Sequence, residues 1–331
     1  MQRALVTGGC GFLGSWVVKT LRERGVAVRV LALPSERTDN LQGVDAELVR
    51  GDILTPADCT AAVAGCDTVF HLAALYKAWM PDPSPMYRVN LSGTFNVLEA
   101  ARRAGVARLV YTASVVALGR PAPGEVADER TPYEAFDLDF PYSRSKWLSR
   151  ELAEDFARWG LDVRVVCPGI VLGPGDIGPT PSGKLILKAL SGAPPVYCDG
   201  AGTYVDVRDA ALVHVLAAER GRAGERYVAT AHDLDNQAFL EAIGRAGGQP
   251  RRLRKVPFFV ARAAAIAMDV AARRSGKEPE LARDFLEYAA KPMRFSNAKS
   301  LRELGATYRP FDQTLRDAIA WFRERGMLAR A

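Results

Sequence analysis

Tyr142 and Lys146 stand four residues apart in Tyr142-Ser143-Arg144-Ser145-Lys146, so on a helix they lie one above the other on one face. A tyrosine, with an ordinary pKa of about 10, is a poor proton donor or acceptor near neutrality. A lysine ammonium beside it favours the phenolate and draws that pKa toward working pH. Ser114 closes an apolar run, Arg108 to Thr112, through Thr112-Ala113-Ser114. A hydroxyl donor, a phenolic acid/base and a cation together form a set that can move a proton to or from a substrate oxygen. Tyr-x-x-x-Lys alone is also an ordinary helix-surface pair, so the surrounding elements must decide.

The first of these elements is a short buried strand, Arg3 to Thr7. It runs into Gly8-Gly9-Cys10-Gly11-Phe12-Leu13-Gly14 and a helical run that stops at Gly25. Such a loop lets backbone approach a pyrophosphate, which then rests on the helix N-terminus. Gly8, Gly11, Phe12, Leu13 and Gly14 are therefore candidate cofactor contacts, in Gly-x-x-Gly-x-x-Gly spacing. A second strand, Ala27 to Leu33, carries no acid at its tip to hold ribose hydroxyls. Ser35 and Arg37 follow and could meet a 2′-phosphate, which leans toward NADP(H); Glu36 between them keeps NAD(H) open.

Further strand-like runs at Ala46–Val49, Thr68–Leu72, Arg108–Thr112 and Asp162–Cys167 alternate with helical runs, notably Met86 to Ala104. The expected fold is α/β, a doubly wound parallel sheet. Ligands of such sheets collect at the carboxyl ends of strands. Asp52 and Ile53 after the third strand, Leu72-Ala73-Ala74 after the fourth and Thr112 at the end of the fifth fall there. Small residues in the fourth-strand loop would let a ribose and nicotinamide pass. His71, at a strand end in an apolar run, reads as a structural hydrogen-bonder. The loop from Arg120 to Pro141, rich in proline and acid, reads as a rim of the substrate cleft.

Composition is that of a globular protein: 331 residues, 48% hydrophobic, 25% charged, net charge +6. The positive charge is scattered arginine rather than a nucleic-acid footprint, and the dense run Arg251-Arg252-Leu253-Arg254-Lys255 reads as a solvated loop or strand edge. Five cysteines without Cys-x-x-Cys spacing, and only three histidines, form no metal-ligand pattern. A reduced, cytoplasmic setting is expected, and no signal peptide is read at the start. Val256 to Ala272 is apolar but interrupted by Arg262 and Asp269, and too short to span a bilayer. It reads as a packing or lid helix, most simply domain core.

In order and spacing these motifs, with Asn90-Leu91-Ser92-Gly93-Thr94 and Cys167-Pro168-Gly169-Ile170-Val171-Leu172-Gly173-Pro174-Gly175-Asp176, resemble the extended short-chain dehydrogenases/reductases over nearly the whole chain. Ala78-Trp79-Met80-Pro81-Asp82-Pro83, Gly178 to Lys184 and Pro292-Met293-Arg294-Phe295-Ser296 are most similar to the dihydroflavonol-4-reductase-like branch, and to bacterial proteins named hopanoid-associated sugar epimerases. That name is a label by likeness and carries no chemistry. The resemblance implies a catalytic Ser114–Tyr142–Lys146 set. Ser114 would hold the substrate oxygen, Tyr142 would pass or take the proton, and Lys146 would bond the nicotinamide ribose. It also implies cofactor contacts at Asn90, Pro168 and Gly169, and a homodimer through helices Pro85–Ala104 and Pro141–Trp159.

Reductase and sugar-nucleotide epimerase would share this site. The resembled epimerases carry an arginine that grips the substrate diphosphate ahead of an Asp-Phe/Tyr-x-His/Asp-Val run. Here Gly202 holds that place in Gly202-Thr203-Tyr204-Val205-Asp206-Val207-Arg208-Asp209, and Cys167-Pro168 replaces a further asparagine. Losing both removes the usual bidentate device, although Lys184 or Arg208 could substitute. An NAD(P)-dependent reductase acting on an apolar ketone, aldehyde or alcohol is therefore expected. A sugar-nucleotide epimerase or dehydratase is the alternative, and a non-catalytic redox sensor the third reading. The dinucleotide-binding domain is expected over residues 1–168, with 203–230 returning to it, and a smaller substrate domain over 169–202 and 231–331.

Overall fold

The computed structural model describes residues 1–122, 124–133, 141–192 and 195–329. The first half runs β1 (Arg3–Thr7), α1 (Phe12–Glu23), β2 (Ala27–Ala32), β3 (Glu47–Arg50), α2 (Pro56–Val63), β4 (Thr68–His71), α3 (Ser84–Tyr87), α4 (Thr94–Arg103), β5 (Arg108–Thr112), α5 (Pro141–Arg158) and β6 (Val163–Pro168). The second half follows as β7 (Ile170–Leu172), α6 (Pro181–Leu190), β8 (Val196–Tyr197), β9 (Ala201–Asp206), α7 (Val207–Arg220), β10 (Arg226–Ala229), β11 (His232–Asp235), α8 (Asn236–Ala246), β12 (Arg254–Lys255), α9 (Phe258–Ser275), α10 (Arg283–Ala289) and α11 (Phe311–Glu324).

Strands β10-β6-β5-β4-β1-β2-β3 form one seven-stranded sheet, parallel throughout. A parallel sheet covered on both faces needs apolar side chains on both. In β1, Leu5 joins the core beneath α2, α4 and α5, while Ala4 and Val6 point into the core beneath α1 and α7. The chain leaves β1 toward β2 and β3, then returns to the other side of β1 as β4. The carboxyl ends of β1 and β4 therefore flank the switch point where such sheets open a crevice.

The helical run expected from Met86 to Ala104 is present, from Ser84 to Arg103, with a π turn, Arg88–Gly93, between α3 and α4. The Thr94 hydroxyl donates to the Asn90 carbonyl at 2.6 Å, a backbone bond of the kind that loosens a helix. π turns of this sort often occur where function needs a side chain re-aimed, and this one carries Asn90.

The second lobe packs Leu172, Ile186, Tyr204, Phe239, Ile243, Leu315 and Phe322 around a three-stranded sheet ordered β11-β9-β7. Two expectations change here. The strand expected near Thr203–Val207 is β9 and belongs to this small sheet, not to the main one. Only α7 and β10 return, with β10 at the sheet edge beside β6. Second, the apolar segment from Val256 onward is not buried core: Phe259, Val260, Ile266 and Val270 of α9 are exposed. Of the expected rim loop, residues 123 and 134–140 lie outside the described residues. Its described part is tied to the second lobe, where Ala127 N–H donates to the Arg294 carbonyl at 2.9 Å and Ser296 N–H to the Ala127 carbonyl at 2.8 Å.

Candidate active site

A cleft of about 380 Å³ opens at the switch point. It is lined by Gly8, Gly11, Phe12, Leu13, Gly14, Asp52, Ile53, Leu72, Ala73, Ala74 and Thr112 among the expected contacts. The glycines are required by space. Gly8 has φ +70°, and a Cβ there would lie 2.8 Å from the Ala73 nitrogen; one on Gly14 would run into the Gly8 carbonyl oxygen. Gly11 precedes α1 in extended conformation with no side-chain cap, so the helix opens toward the cleft with its dipole and N–H groups uncovered by side chains. A cradle that any side chain would fill, closed at one end by a helix N-terminus, fits a dinucleotide pyrophosphate.

At the far end of the cleft the expected residues differ from those that line it. Arg37 is exposed and forks onto Asp39, with Nε 2.9 Å from Oδ2 and Nη2 3.0 Å from Oδ1; neither it nor Ser35 lines the cleft. Glu36 does. Its carboxylate accepts the Leu33 N–H at 3.1 Å, and together with burial it pushes the Cys10 thiol up to about 11. Arg50 donates to the Leu33 and Glu36 carbonyls at 2.8 and 3.0 Å, which fixes this turn. The physical reason is local: a short ion pair to Asp39 captures Arg37, and the turn after β2 swings the neighbouring acid inward. Asp52, its Oδ1 accepting the Leu54 N–H at 2.9 Å, stays at the cleft wall.

Ser114, Tyr142 and Lys146 are not part of the cleft lining; their link to it is Thr112, which lines the cleft and whose carbonyl accepts from Lys146. Ser114 caps a short 3₁₀ turn after β5, its Oγ accepting from Val116 N–H. Tyr142 and Lys146 lie in the first two turns of α5, and the buried face of that helix is lined with small hydroxyls. Ser143 Oγ donates to the Val116 carbonyl at 2.8 Å, Ser149 meets the Tyr111 hydroxyl at 2.6 Å, and Ser145 accepts from Asn90 at 2.9 Å. Asn90 is almost wholly buried. It also holds the loop after β4, taking the Leu75 N–H at 2.8 Å and giving to the Leu75 carbonyl at 3.1 Å. Asn90 thus clamps α5 to the cleft wall and does not line the cleft. Pro168 and Gly169 end β6, where Gly169 N–H donates to the Ala229 carbonyl at 3.0 Å; they sit beside the site and outside the cleft lining.

Lys146 is buried. Its Nζ donates to the Thr112 carbonyl at 2.5 Å and lies 4.9 Å over the Tyr111 ring. A cation–π contact of about 2 kcal/mol does not offset the several kcal/mol of desolvating an ammonium, and burial draws the Lys146 pKa down to about 7. Tyr142 differs from the expectation in direction. Burial, then the neighbouring Tyr76, Tyr111 and Tyr288, hold its phenol well above the ordinary value. Tyr76 packs edge-on at 4.4 Å between ring centres. Enclosure by other phenols favours the neutral form over any pull toward the phenolate. A neutral phenol is the state that can give a proton.

His71 is a structural hydrogen-bonder: it bridges Thr7 Oγ1 at 2.7 Å and Thr94 Oγ1 at 3.0 Å, and burial drops its pKa to about 3. Residues not expected at the site are Glu36, Leu31, Leu33, Gly51, Leu54, Leu75 and Val89 in the cleft, and Tyr76 and Tyr288 beside Tyr142. Strand-end position could have flagged Leu33 and Gly51. Nothing in local spacing marks Tyr288, which arrives from α10. Among the described residues no group of three or more histidine, cysteine, aspartate or glutamate side chains could hold a metal, and all five cysteines are buried and unpaired.

A seven-stranded parallel sheet with a glycine loop at its switch point, and serine, tyrosine and lysine at the ends of β5 and α5, is the architecture of an extended short-chain dehydrogenase/reductase. The chain belongs to the NAD dependent epimerase/dehydratase family, whose model matches residues 4–229. It is 35% identical over 325 residues to a putative dihydroflavonol 4-reductase of Synechocystis, covering 97% of this chain and 94% of that one. It is 31% identical over 326 residues to sterol demethylase protein B of Methylococcus capsulatus, covering 98% and 99%. The crystal structure of gox2253 superposes with a TM-score of 0.89 at 36% identity, covering 99% of this chain and all of that one. The family accordingly indicates a nicotinamide cofactor.

Proposed function

We propose that this enzyme reduces a carbonyl group, or oxidises the matching secondary alcohol, on an apolar substrate. The nicotinamide supplies or accepts the hydride. Ser114 holds the substrate oxygen, the neutral Tyr142 phenol gives it the proton, and Lys146, in its ammonium form, donates to the ribose and favours the phenolate left behind. Reductase chemistry in the named relatives supports this reading, and a sterol-processing relative supports an apolar substrate.

The observation that carries the choice over a sugar-nucleotide epimerase is in the second lobe. A Cβ on Gly202 would lie 2.9 Å from Ile170 Cδ1 and 3.0 Å from the Tyr204 hydroxyl, so the ends of both side chains would have to move to admit the arginine that this position lacks. Arg208 is already held, its Nε 2.9 Å from Asp206 and its Nη2 2.7 Å from Asp317. A panel of apolar ketones and aldehydes, run beside UDP-sugars with reduced cofactor, tests this. Stoichiometric loss of nicotinamide fluorescence with a carbonyl compound is expected. Conversion of a UDP-sugar with no net change in cofactor would sink the reductase reading.

The inward Glu36 and outward Arg37 support NAD(H) over NADP(H). A carboxylate facing a 2′-phosphate at about 5 Å opposes it by about 3 kcal/mol at an effective dielectric near 20, on the order of a hundredfold in affinity. Titration is expected to rank NADH well above NADPH, and Glu36→Gln to narrow the gap. An unchanged ratio in that variant would mean Glu36 does not select. The exposed Phe95 of α4 and Trp159 just past α5, which flank Phe156, support a homodimer through that face, whose mass light scattering reads directly. Five unpaired thiols support work in the reducing cytoplasm.

A further inference from the structure

Helix α9 is built inside out for a helix in water. Its contact face is small: Ala265 and Ala272 are buried, and Ala265, with the half-buried Ala261, packs in a small cluster with Cys198, Leu281 and Leu286. Its large apolar side chains point away, with Phe259 73% exposed and Val260, Ile266 and Val270 each more than a third exposed. At 3.6 residues per turn, residues 259, 260, 263, 266, 267, 270 and 271 fall within an arc of about 140° opposite Ala265 and Ala272. All seven are apolar and exposed, and Arg274 joins them only in the last turn. Arg262, paired with Glu287 at 2.9 Å, and the half-buried Asp269 lie on the flank. The result is a stripe about 18 Å long at 1.5 Å per residue, the kind of exposed apolar patch that marks a binding surface.

We infer that α9 docks the enzyme onto an anionic membrane surface, lying in the plane of the headgroups. Exposed cations bracket the stripe: Arg252 and Arg254 before it, Arg273, Arg274 and Lys277 after it. Of the acids nearby, Asp199 pairs with Lys255 at 2.8 Å and Glu280 with Lys188 at 3.3 Å, and the exposed Glu278 beside Lys277 offsets one of the cations. An apolar face rimmed by arginine and lysine is the pattern of interfacial helices. Charge argues against a second copy as the occupant, because pairing two α9 helices in either direction sets cationic ends against cationic ends. No helix among the described residues is long and apolar enough to cross a bilayer, so α9 lies on the membrane rather than through it.

Flotation of the full-length protein with vesicles of phosphatidylcholine alone, or mixed equally with phosphatidylglycerol, tests this. The protein is expected to float with the anionic vesicles and to be released by salt. Phe259→Ser/Val270→Ser is expected to lower partitioning by about tenfold or more, whereas Leu48→Ser, an exposed leucine on β3, leaves it unchanged. Phe259→Trp gives a direct reading: its emission should shift to the blue when anionic vesicles are added. Equal partitioning of the α9 variant and the wild type, or no emission shift, overturns the proposal. A fall in particle mass caused by the α9 substitutions without lipid would assign the stripe to a second copy instead, which also overturns it. None of these readings needs turnover, so they stand apart from the carbonyl assay.

Discussion

Tyr142→Phe should lose turnover by roughly 10²- to 10⁴-fold while binding reduced cofactor as the wild type does, because a positioned acid contributes about that much. The substitution removes one oxygen and keeps the ring that packs against Tyr76, so the fold and the glycine loop are left alone. Stopped-flow turnover beside fluorescence titration separates the two quantities. Survival of activity would remove Tyr142 from the chemistry. The raised pKa of this phenol adds a directional signature. Reduction needs the protonated form and should hold its rate from neutral pH downward. Oxidation needs the phenolate and should climb as pH rises beyond neutrality. The Phe variant should lose both profiles.

The second large effect belongs to Gly14. An alanine there places its Cβ against the Gly8 carbonyl oxygen, backbone against side chain, with no flexible partner to yield. Overpacking of this sort costs about 1–3 kcal/mol, and relieving it pushes the loop into the space a pyrophosphate needs. Gly14→Ala is therefore expected to lower the melting temperature and to abolish the rise in melting temperature expected of the wild type with a nicotinamide dinucleotide. Gly25→Ala is the control. Gly25 has positive φ, which Gly14 does not, and nothing lies within 4 Å of a Cβ there. It should cost only about 1 kcal/mol of strain and keep the cofactor-induced shift. Loss of that shift in both variants would mean general destabilisation rather than closure of the cradle.

What could be read from the chain alone follows from how local each signal is. The glycine loop and the Tyr142–Lys146 spacing are written in consecutive residues, and strand-helix alternation fixes a parallel sheet. The turn after β2 was opaque because its outcome depends on whether Arg37 finds Asp39 or the cleft. Tyr288 comes from α10, nearly 150 residues beyond Tyr142, and no spacing rule reaches that far. The strand at Ala201–Asp206 was visible as a strand, but period-two patterning names no partner, and it pairs with β7 and β11. In α9 the apolar residues were legible and their direction was not: hydrophobicity suggested core, while the alanines took the buried face. Asn90 carried a motif, and its role as a clamp follows only from the π turn that turns it toward Ser145.

The return of β10 to the flank of β6 makes the first 168 residues something other than a detachable module. Without β10 the backbone of β6 would present a row of unpaired amides and carbonyls along an apolar strand, a template for aggregation. Arg108 and Arg164, which reach across to the carbonyls at the end of α7, would lose their acceptors as well. The half that carries the glycine loop is sealed by a piece of chain made only after the first part of the second lobe has been synthesised. On the ribosome, that half stays open along one side until residue 229 has emerged.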